Sequence, residues 1–179
     1  MQIIIPGITG LTQYLNTLIE AMGAFRPERC VHCTLLAPRR HGHYDRKTYR
    51  ENSDANSLNP IPIFRFYCAG CKHTFSVLPE CIPPHRWYLW GVQQIVLMNL
   101  LLGNTLHAIA AQMRPSRSTC RRWWSQLKDR FLQQRDALCA QCAELGRSID
   151  FHDFWNTCFT TMSLDHAMLL CHLQGVEIP

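Results

Sequence analysis

Carboxylates are nearly missing from the middle of this 179-residue chain. Between residues 86 and 135 a single acid, Asp129, stands against eight Lys/Arg. Residues 136–179 reverse the balance with six acids and one arginine, and residues 1–85 hold six acids and nine Lys/Arg. Net charge thus runs +3, +7 and −5 along the chain. A basic middle so poor in acids suits a polyanion, and the acidic end is expected to have another job. From Trp87 to Met113 there is no charged residue at all. Gln93, Gln94, Asn99, Asn104 and His107 interrupt that stretch, and its unbroken apolar runs fall far short of a membrane span. A buried helix, not a membrane anchor, is expected there. The opening MQIIIPGITG lacks the basic n-region and the apolar length of a signal peptide. The ten cysteines are therefore expected in a reducing cytoplasm, where paired cysteines more often bind metal than form disulfides.

Cysteine spacing gives the strongest motif. Cys30-Val-His-Cys33 and Cys68-Ala-Gly-Cys71 are two CxxC pairs with 34 residues between them. Two intervening residues let one tight turn aim both thiolates at one ion, and two such knuckles complete a tetrahedral S₄ site. One structural Zn²⁺ on Cys30, Cys33, Cys68 and Cys71 is expected. Strand-like Ile61–Tyr67 leads into the second knuckle and Thr74–Leu78 leaves it, which predicts a zinc ribbon over 28–84. His32 and His73 lie beside the knuckles and read as exposed loop histidines. The polar, turn-rich Glu51–Pro60 predicts a loop that extends the hairpin. Ahead of it, Arg39, Arg40, His41, His43, Arg46, Lys47 and Arg50 interleave with Tyr44 and Tyr49. Arg39, Arg40, Arg46 and Lys47 are candidates for secondary phosphate contacts.

Before the ribbon, residues 1–27 predict a short strand, Gln2–Ile5. A helix comes next, capped by Thr9 or Thr12, with Leu11, Leu15, Leu18, Ile19 and Met22 as its apolar positions.

After the ribbon, residues 104–128 (NTLHAIAAQMRPSRSTCRRWWSQLK) carry two helical periods around a break. Leu106, Ile109, Ala110 and Met113 fall at i, i+3, i+4 and i+7; Cys120, Trp123, Trp124 and Leu127 repeat that spacing. Pro115 disfavours a helical Arg114, and Ser116 is a natural N-cap for the second helix. On that helix Arg117, Ser118, Arg121, Arg122 and Ser125 point away from the apolar side. Two short helices meeting at such a turn predict a helix-turn-helix over 85–131. Its second helix is expected to enter a DNA major groove. Arg117, Arg121 and Arg122 are the candidate base or phosphate contacts, with Arg114, Ser116, Ser118 and Thr119 nearby.

These residues resemble the helix-turn-helix of bacterial insertion-sequence transposases and their regulators. Ala110 matches the small residue where the two helices touch; Ile109, Met113, Cys120 and Trp123 match the buried positions. Family members often carry Gly four residues after the alanine, at positive φ, and Arg114 stands there instead. A positive φ at a non-glycine costs about 1 kcal/mol, so the turn is expected to depart from the usual one. FRFYCAGCKHTFSVLP is similar to the ribbon that precedes the helix-turn-helix in transposase amino-terminal modules. The order of ribbon, Pro83-Pro84 connector, long helix and helix-turn-helix matches as well, over about residues 28–130. The resemblance implies double-stranded DNA as partner; a bacterial, nucleoid-associated setting is expected with it, and a transposase or recombinase, or a second copy, is the candidate protein partner.

Catalytic equipment is missing. An Asp-Asp-Glu transposase places three carboxylates on an RNase H-like sheet of on the order of 100 residues, and only 48 residues follow Phe131. Asp150, Asp153 and Asp165 lie there without strands to hold them. No Gly-rich phosphate loop, Ser-His-Asp grouping or HExxH occurs. His152 and Asp153 read as solvated helix-end residues. The expectation is a regulator or accessory subunit, not an enzyme; a ribbon-based protein adaptor or an RNA-binding protein is the alternative.

The remaining segment, 132–179, is expected to be helical. A third pair, Cys139 and Cys142, sits among helix formers and faces no fourth pair. With Cys158, His166, Cys171 and His172 it reads as small side chains in a helical core and not as a second metal site. Phe151, Phe154, Trp155, Phe159, Met162, Leu164, Met168, Leu169 and Leu170 must cover something. That is either the chain's own uncharged helix or, through 136–179, a second copy or a recombination partner. The predicted class is α+β, mainly α.

Overall fold

The computed structural model describes residues 2–20, 23, 25–47, 58–84, 88–148, 150–176 and 178. Met22, Tyr49, Arg50, most of the 51–60 loop and Trp87 lie outside them. The described residues form a mixed α+β structure with a four-stranded sheet and seven α-helices. The chain folds as two compact units, residues 1–89 and 90–179.

The first unit is the sheet. β1 (Gln2–Ile5) is followed by α1 (Leu11–Glu20), then β2 (Arg39–Arg46), β3 (Ile61–Tyr67) and β4 (Thr74–Pro79). Strand order is β1-β4-β3-β2, antiparallel except that β1 runs parallel to β4 with Gln2 opposite Ser76 and Ile5 opposite Pro79. β1 therefore shares a sheet with the cysteine hairpin. The helix α1 lays Leu11, Tyr14 and Leu18 on the core, spaced i, i+3 and i+7. Tyr14 donates its hydroxyl to the Pro62 carbonyl at 2.8 Å and tilts its ring on Phe25. Because the buried face centres on Tyr14, Ile19 falls on the opposite side and is 83% exposed, contrary to the expected pattern. Neither threonine caps the helix with its side chain. Gln13 instead reaches back, accepting from the Thr9 N–H and donating to the Gly7 carbonyl. Glu80, 3% exposed at the end of β4, accepts from the Gly7 N–H at 2.9 Å and fixes the same loop.

The second unit is helical: α2 (Trp90–Leu101), α3 (Leu106–Gln112), α4 (Arg117–Asp129), α5 (Phe131–Cys139), a 3₁₀ turn (Ala143–Arg147), α6 (Phe151–Thr161) and α7 (Leu164–Leu173). The central helix α2 packs against α3, α4, α6 and α7, while α5 packs on α7. Gly103 at φ +85° ends α2 by donating to Leu100, and Asn104 donates to Asn99, a Schellman closure. Gln94 of α2 takes the Leu164 N–H at 2.8 Å, supplying the cap that Ser163 does not give α7. Helix does not run on unbroken past Phe131. Arg130 separates α4 from α5, and α5 stops at Cys139, so the Cys139–Cys142 pair spans a helix end. Phe154, Trp155, Leu164, Met168 and Leu169 are buried inside this unit, so the apolar groups of 136–179 supply much of its core. No described helix is long and apolar enough to cross a membrane.

Candidate functional site

Two sets of residues singled out in the sequence come together. The first is the four-thiol cluster, built by two copies of one turn. In each knuckle the first cysteine donates its N–H to the carbonyl five residues on, Cys30 to Leu35 and Cys68 to His73. Its own carbonyl accepts from the residue four on, Thr34 or Lys72, at 2.9 Å in both. Those two residues carry matching left-handed φ values of 58° and 59°. The second knuckle is the β3–β4 turn; the first is tied by the Arg29–Leu36 bridge. The two copies face each other. Cys30 Sγ lies 3.6 Å from Cys71 Sγ, Cys33 Sγ lies 3.5 Å from Cys68 Sγ, and all four sulfurs fall within 4.8 Å of one another.

That spacing tests the site. Four sulfurs about 2.3 Å from a central ion sit roughly 3.8 Å apart in a tetrahedron, a spacing close to that of the cluster, so these residues could hold a metal. Backbone N–H groups and neighbouring sulfurs shift two of the thiols in opposite directions. Cys68 is lowered to about 6, first by the Cys71 backbone N–H and further by Cys33, Gly70 and Cys30. Cys71 goes the other way, to about 12. The His73 N–H favours its thiolate, but burial and the sulfurs of Cys30, Cys33 and Cys68 outweigh it. One thiol is lowered and its neighbour raised because thiolates packed this closely repel one another. Gly70 keeps the knuckles close: a Cβ there would stand 2.9 Å from Leu35 Cδ2. His32 and His73 are exposed, their rings stacked at 4.6 Å beside the cluster. Among the described residues no other group of three His, Cys, Asp or Glu side chains closes to coordination distance.

Of the basic residues on β2, Arg39 and Arg40 are exposed, and so is Lys47 just beyond it. The Arg40 guanidinium lies 4.4 Å from the Phe64 ring centroid. Arg46 departs from expectation. Its guanidinium is turned inward and donates to the Pro83 carbonyl, and burial lowers its pKa, so it does not present a free charge to phosphate.

The second set lies on α3 and α4, which pack against each other and on α2. Thr105 caps α3, accepting from Ala108. Ser116 caps α4, accepting from Thr119 at 3.3 Å while its hydroxyl also meets those of Ser118 and Thr119. The four-residue turn between the helices is closed by Met113 in extended conformation and by buried Pro115. Arg114 does not take a positive φ. The extended Met113 makes the turn without one, so the expected strain is not incurred.

On α4 the sides divide as predicted. Cys120, Trp123 and Leu127 are buried; Arg117, Ser118, Arg121, Arg122 and Ser125 are exposed, as are Arg114 and Ser116, and Thr119 is half-buried. Ile109 is buried and Met113 only half-buried. Among the described residues nothing bonds the guanidinium groups of Arg117, Arg121 or Arg122. Trp124 is only half-buried: its ring edge meets Phe151, and Lys128 Nζ sits 4.8 Å from its centroid. Sequence reasoning missed that Lys128 contact; the i, i+4 spacing of Trp124 and Lys128 on one helix was its available signal.

The remaining cysteines sort differently. Cys158 and Cys171 are wholly buried, their thiols pushed up to about 12 by burial, with the sulfurs of Cys171, Cys142 and Cys139 adding to the rise at Cys158. His152 and Asp153 are exposed at the start of α6, where Asp150 accepts both their N–H groups.

No curated protein and no solved structure matches the chain. A family model described as a domain of unknown function, DUF6431, matches residues 28–123, more than half the length. That span holds all four clustered cysteines and the turn from α3 into α4, and by it the chain belongs to the DUF6431 family.

Proposed function

We propose that the protein binds double-stranded DNA through a helix-turn-helix formed by α3 and α4, and that residues 28–84 are a zinc ribbon holding one structural Zn²⁺. The observation that carries the DNA reading is the division of α4. Its apolar stripe is buried, its arginine-bearing side is exposed and unengaged among the described residues, and a short capped turn precedes it. Arg121 and Arg122 are adjacent, and Arg117 lies one turn before Arg121, so the three reach a common surface. An arginine there can bond guanine O6 and N7 together or neutralise a phosphate; Ser118 and Thr119 reach shorter distances. The scarcity of acids through 86–135 supports a polyanionic partner.

Zinc is favoured by the donor set. Four thiolates form a closed, soft, tetrahedral site with no position left for substrate, which is the structural type. Arg39, Arg40 and Lys47 are proposed as secondary phosphate contacts. The resemblance to transposase amino-terminal modules supports a transposon-associated regulator or accessory subunit, without chemistry of its own.

Titrating labelled duplexes with zinc-loaded protein over a range of salt tests the reading. Arg121→Ala or Arg122→Ala is expected to weaken binding by about 1–3 kcal/mol where the side chain reads a base. A phosphate contact instead weakens all sequences alike and lowers the salt slope by about one. Wild-type affinity in both variants at every salt concentration overturns the assignment of α4, and tighter binding to single-stranded RNA than to any duplex would replace DNA with RNA.

A further inference from the structure

Away from its buried stripe, α4 presents two lines of side chains that differ in charge. A helix of about 3.6 residues per turn brings residues spaced 4, 3 and 4 apart onto one line. Ser118, Arg122, Ser125 and Asp129 form one such line, opposite the buried Cys120, Trp123 and Leu127. Arg117, Arg121, Trp124 and Lys128 form a second, each one residue earlier and so turned by about 100°. This flank faces the start of α6, where the Trp124 and Phe151 rings meet edge to face at 5.3 Å. The outer line holds one arginine and Asp129, the only acid between residues 86 and 135, so its charge is zero; the flank holds three cations and no acid. Lys128 is kept on the flank, with Nζ 4.8 Å from the Trp124 ring centroid and 5.9 Å from that of Phe151.

We propose that the two lines do different work on DNA: Arg122 reads a base, while Arg117, Arg121 and Lys128 hold the phosphates along one wall of the groove. This rests on the reading of α3 and α4 as a DNA-binding helix-turn-helix. A helix lying in the major groove turns its outermost line toward the base edges and its flanks toward the phosphate walls. On a wall of phosphates Asp129 would be repelled. Base edges instead present donors and acceptors without net charge, which suits an arginine, two serines and a carboxylate. Ser118 and Ser125 stand on either side of Arg122 along its line, and their short side chains leave its guanidinium room to lie against guanine O6 and N7. Arg122 also falls in the first half of α4, the part of a recognition helix that reaches bases.

The flank has the length for its task. From Arg117 to Lys128 it runs roughly 16 Å at about 1.5 Å per residue, enough to meet several successive phosphates. Thr119 and Gln126, on the opposite flank, carry no charge, so the grip on the backbone is one-sided. Lys128 thereby joins the DNA contacts, and the three arginines of α4 are no longer equivalent.

The test uses full-length, zinc-loaded protein, the duplex it recovers from a random-sequence pool, and a scrambled duplex of equal length. Affinity for both is measured across a range of salt. Arg122→Ala should cut the preference for the recovered duplex about tenfold or more and leave the salt slope on the scrambled one unchanged. Arg117→Ala, Arg121→Ala and Lys128→Ala should each weaken both duplexes alike, keep the preference and lower the slope by about one; Lys128→Arg should restore it. All four positions are exposed, so melting temperatures should not move. Preference kept in Arg122→Ala but lost in Arg117→Ala or Arg121→Ala overturns the division and leaves α4 a DNA-binding helix. An unchanged slope in Lys128→Ala, or wild-type binding without preference for any sequence in the pool, overturns it equally. Wild-type protein that binds no duplex overturns the helix-turn-helix reading and this division together.

Discussion

Eight of the ten cysteines fall into two sets of four, and the two sets have opposite fates. Cys30, Cys33, Cys68 and Cys71 sit on two turns that share the same backbone hydrogen bonds and left-handed φ, and their sulfurs converge. Cys139, Cys142, Cys158 and Cys171 also include a CxxC pair and two more thiols within electrostatic reach, yet they do not converge to coordination distance. In the first set the N–H groups of Cys71, Gly70 and His73 favour thiolate. In the second, burial among helices holds Cys158 and Cys171 in the neutral thiol form. Spacing alone therefore does not make a metal site. Turns that aim their amides at the sulfurs bring four thiols within coordination distance, and the helices and helix end that carry the second set do not.

The largest effect expected from that difference is on removal of metal. Chelation, or Cys68→Ser with Cys71→Ser, should unfold the region around 28–80, because the site exists only in the folded state and metal binding is linked to folding. Hydrogen exchange should show those amides losing protection while 90–179 keep theirs. Zinc absent from folded, reduced protein, or retained by the double variant, would break the comparison. Next in size is Cys158→Ser, which buries a hydroxyl at a wholly enclosed position and should cost the helical unit about 2–3 kcal/mol with zinc content unchanged. Denaturant melts with metal analysis give both numbers.

The thiol set also predicts an alkaline weakness. Cys158 and Cys171 have folded-state pKa values raised to about 12 from an ordinary 9. Their contribution is fully present below pH 9 and is lost as pH rises toward 12, where the unfolded chain ionises and the folded one resists. The melting temperature of the helical unit should fall across that window, and Cys158→Ala with Cys171→Ala should flatten the decline. The smallest effect is at Gly70. Gly70→Ala pushes on Leu35, whose side-chain end can give way, so a cost of about 1 kcal/mol and faster zinc release to a chelator are expected.

Legibility in the sequence depends on how local each signal is. The knuckles, the strands around them, the Ser116 cap and the two sides of α4 are set by neighbours within one turn of chain, and each stands where expected. Face assignment on α2 was not legible. A helix apolar all round has no preferred side in its periodicity, so the exposed Ile95, Met98 and Leu102 could not be told from the buried Val96 and Leu97. The same ambiguity leaves the apolar residues of 136–179 with two readings, packing on the chain's own uncharged helix or a partner surface, and Phe154, Trp155 and Met168 follow the first, on helices that pack against α2. Long-range features left no local mark. Nothing in Gln2–Ile5 announces a parallel partner in β4, nothing in Glu80 announces the Gly7 amide, and the inward turn of Arg46 depends on a carbonyl 37 residues away.

The parallel pairing of β1 with β4 sets an order of events during synthesis. Gln2–Ile5 leaves the ribosome ahead of its partner strand, which begins 72 residues later at Thr74. At roughly 5–20 residues per second the three consecutive isoleucines wait about 4–14 seconds for β4. The first knuckle waits as well, since Cys30 and Cys33 lack the facing sulfurs of their cluster until Cys68 and Cys71 emerge. Residues 68–79 thus release two stalled elements together, one by giving it sulfur and the other by giving it a hydrogen-bonding edge. Until then the nascent chain carries a bare apolar strand and two unmatched thiols.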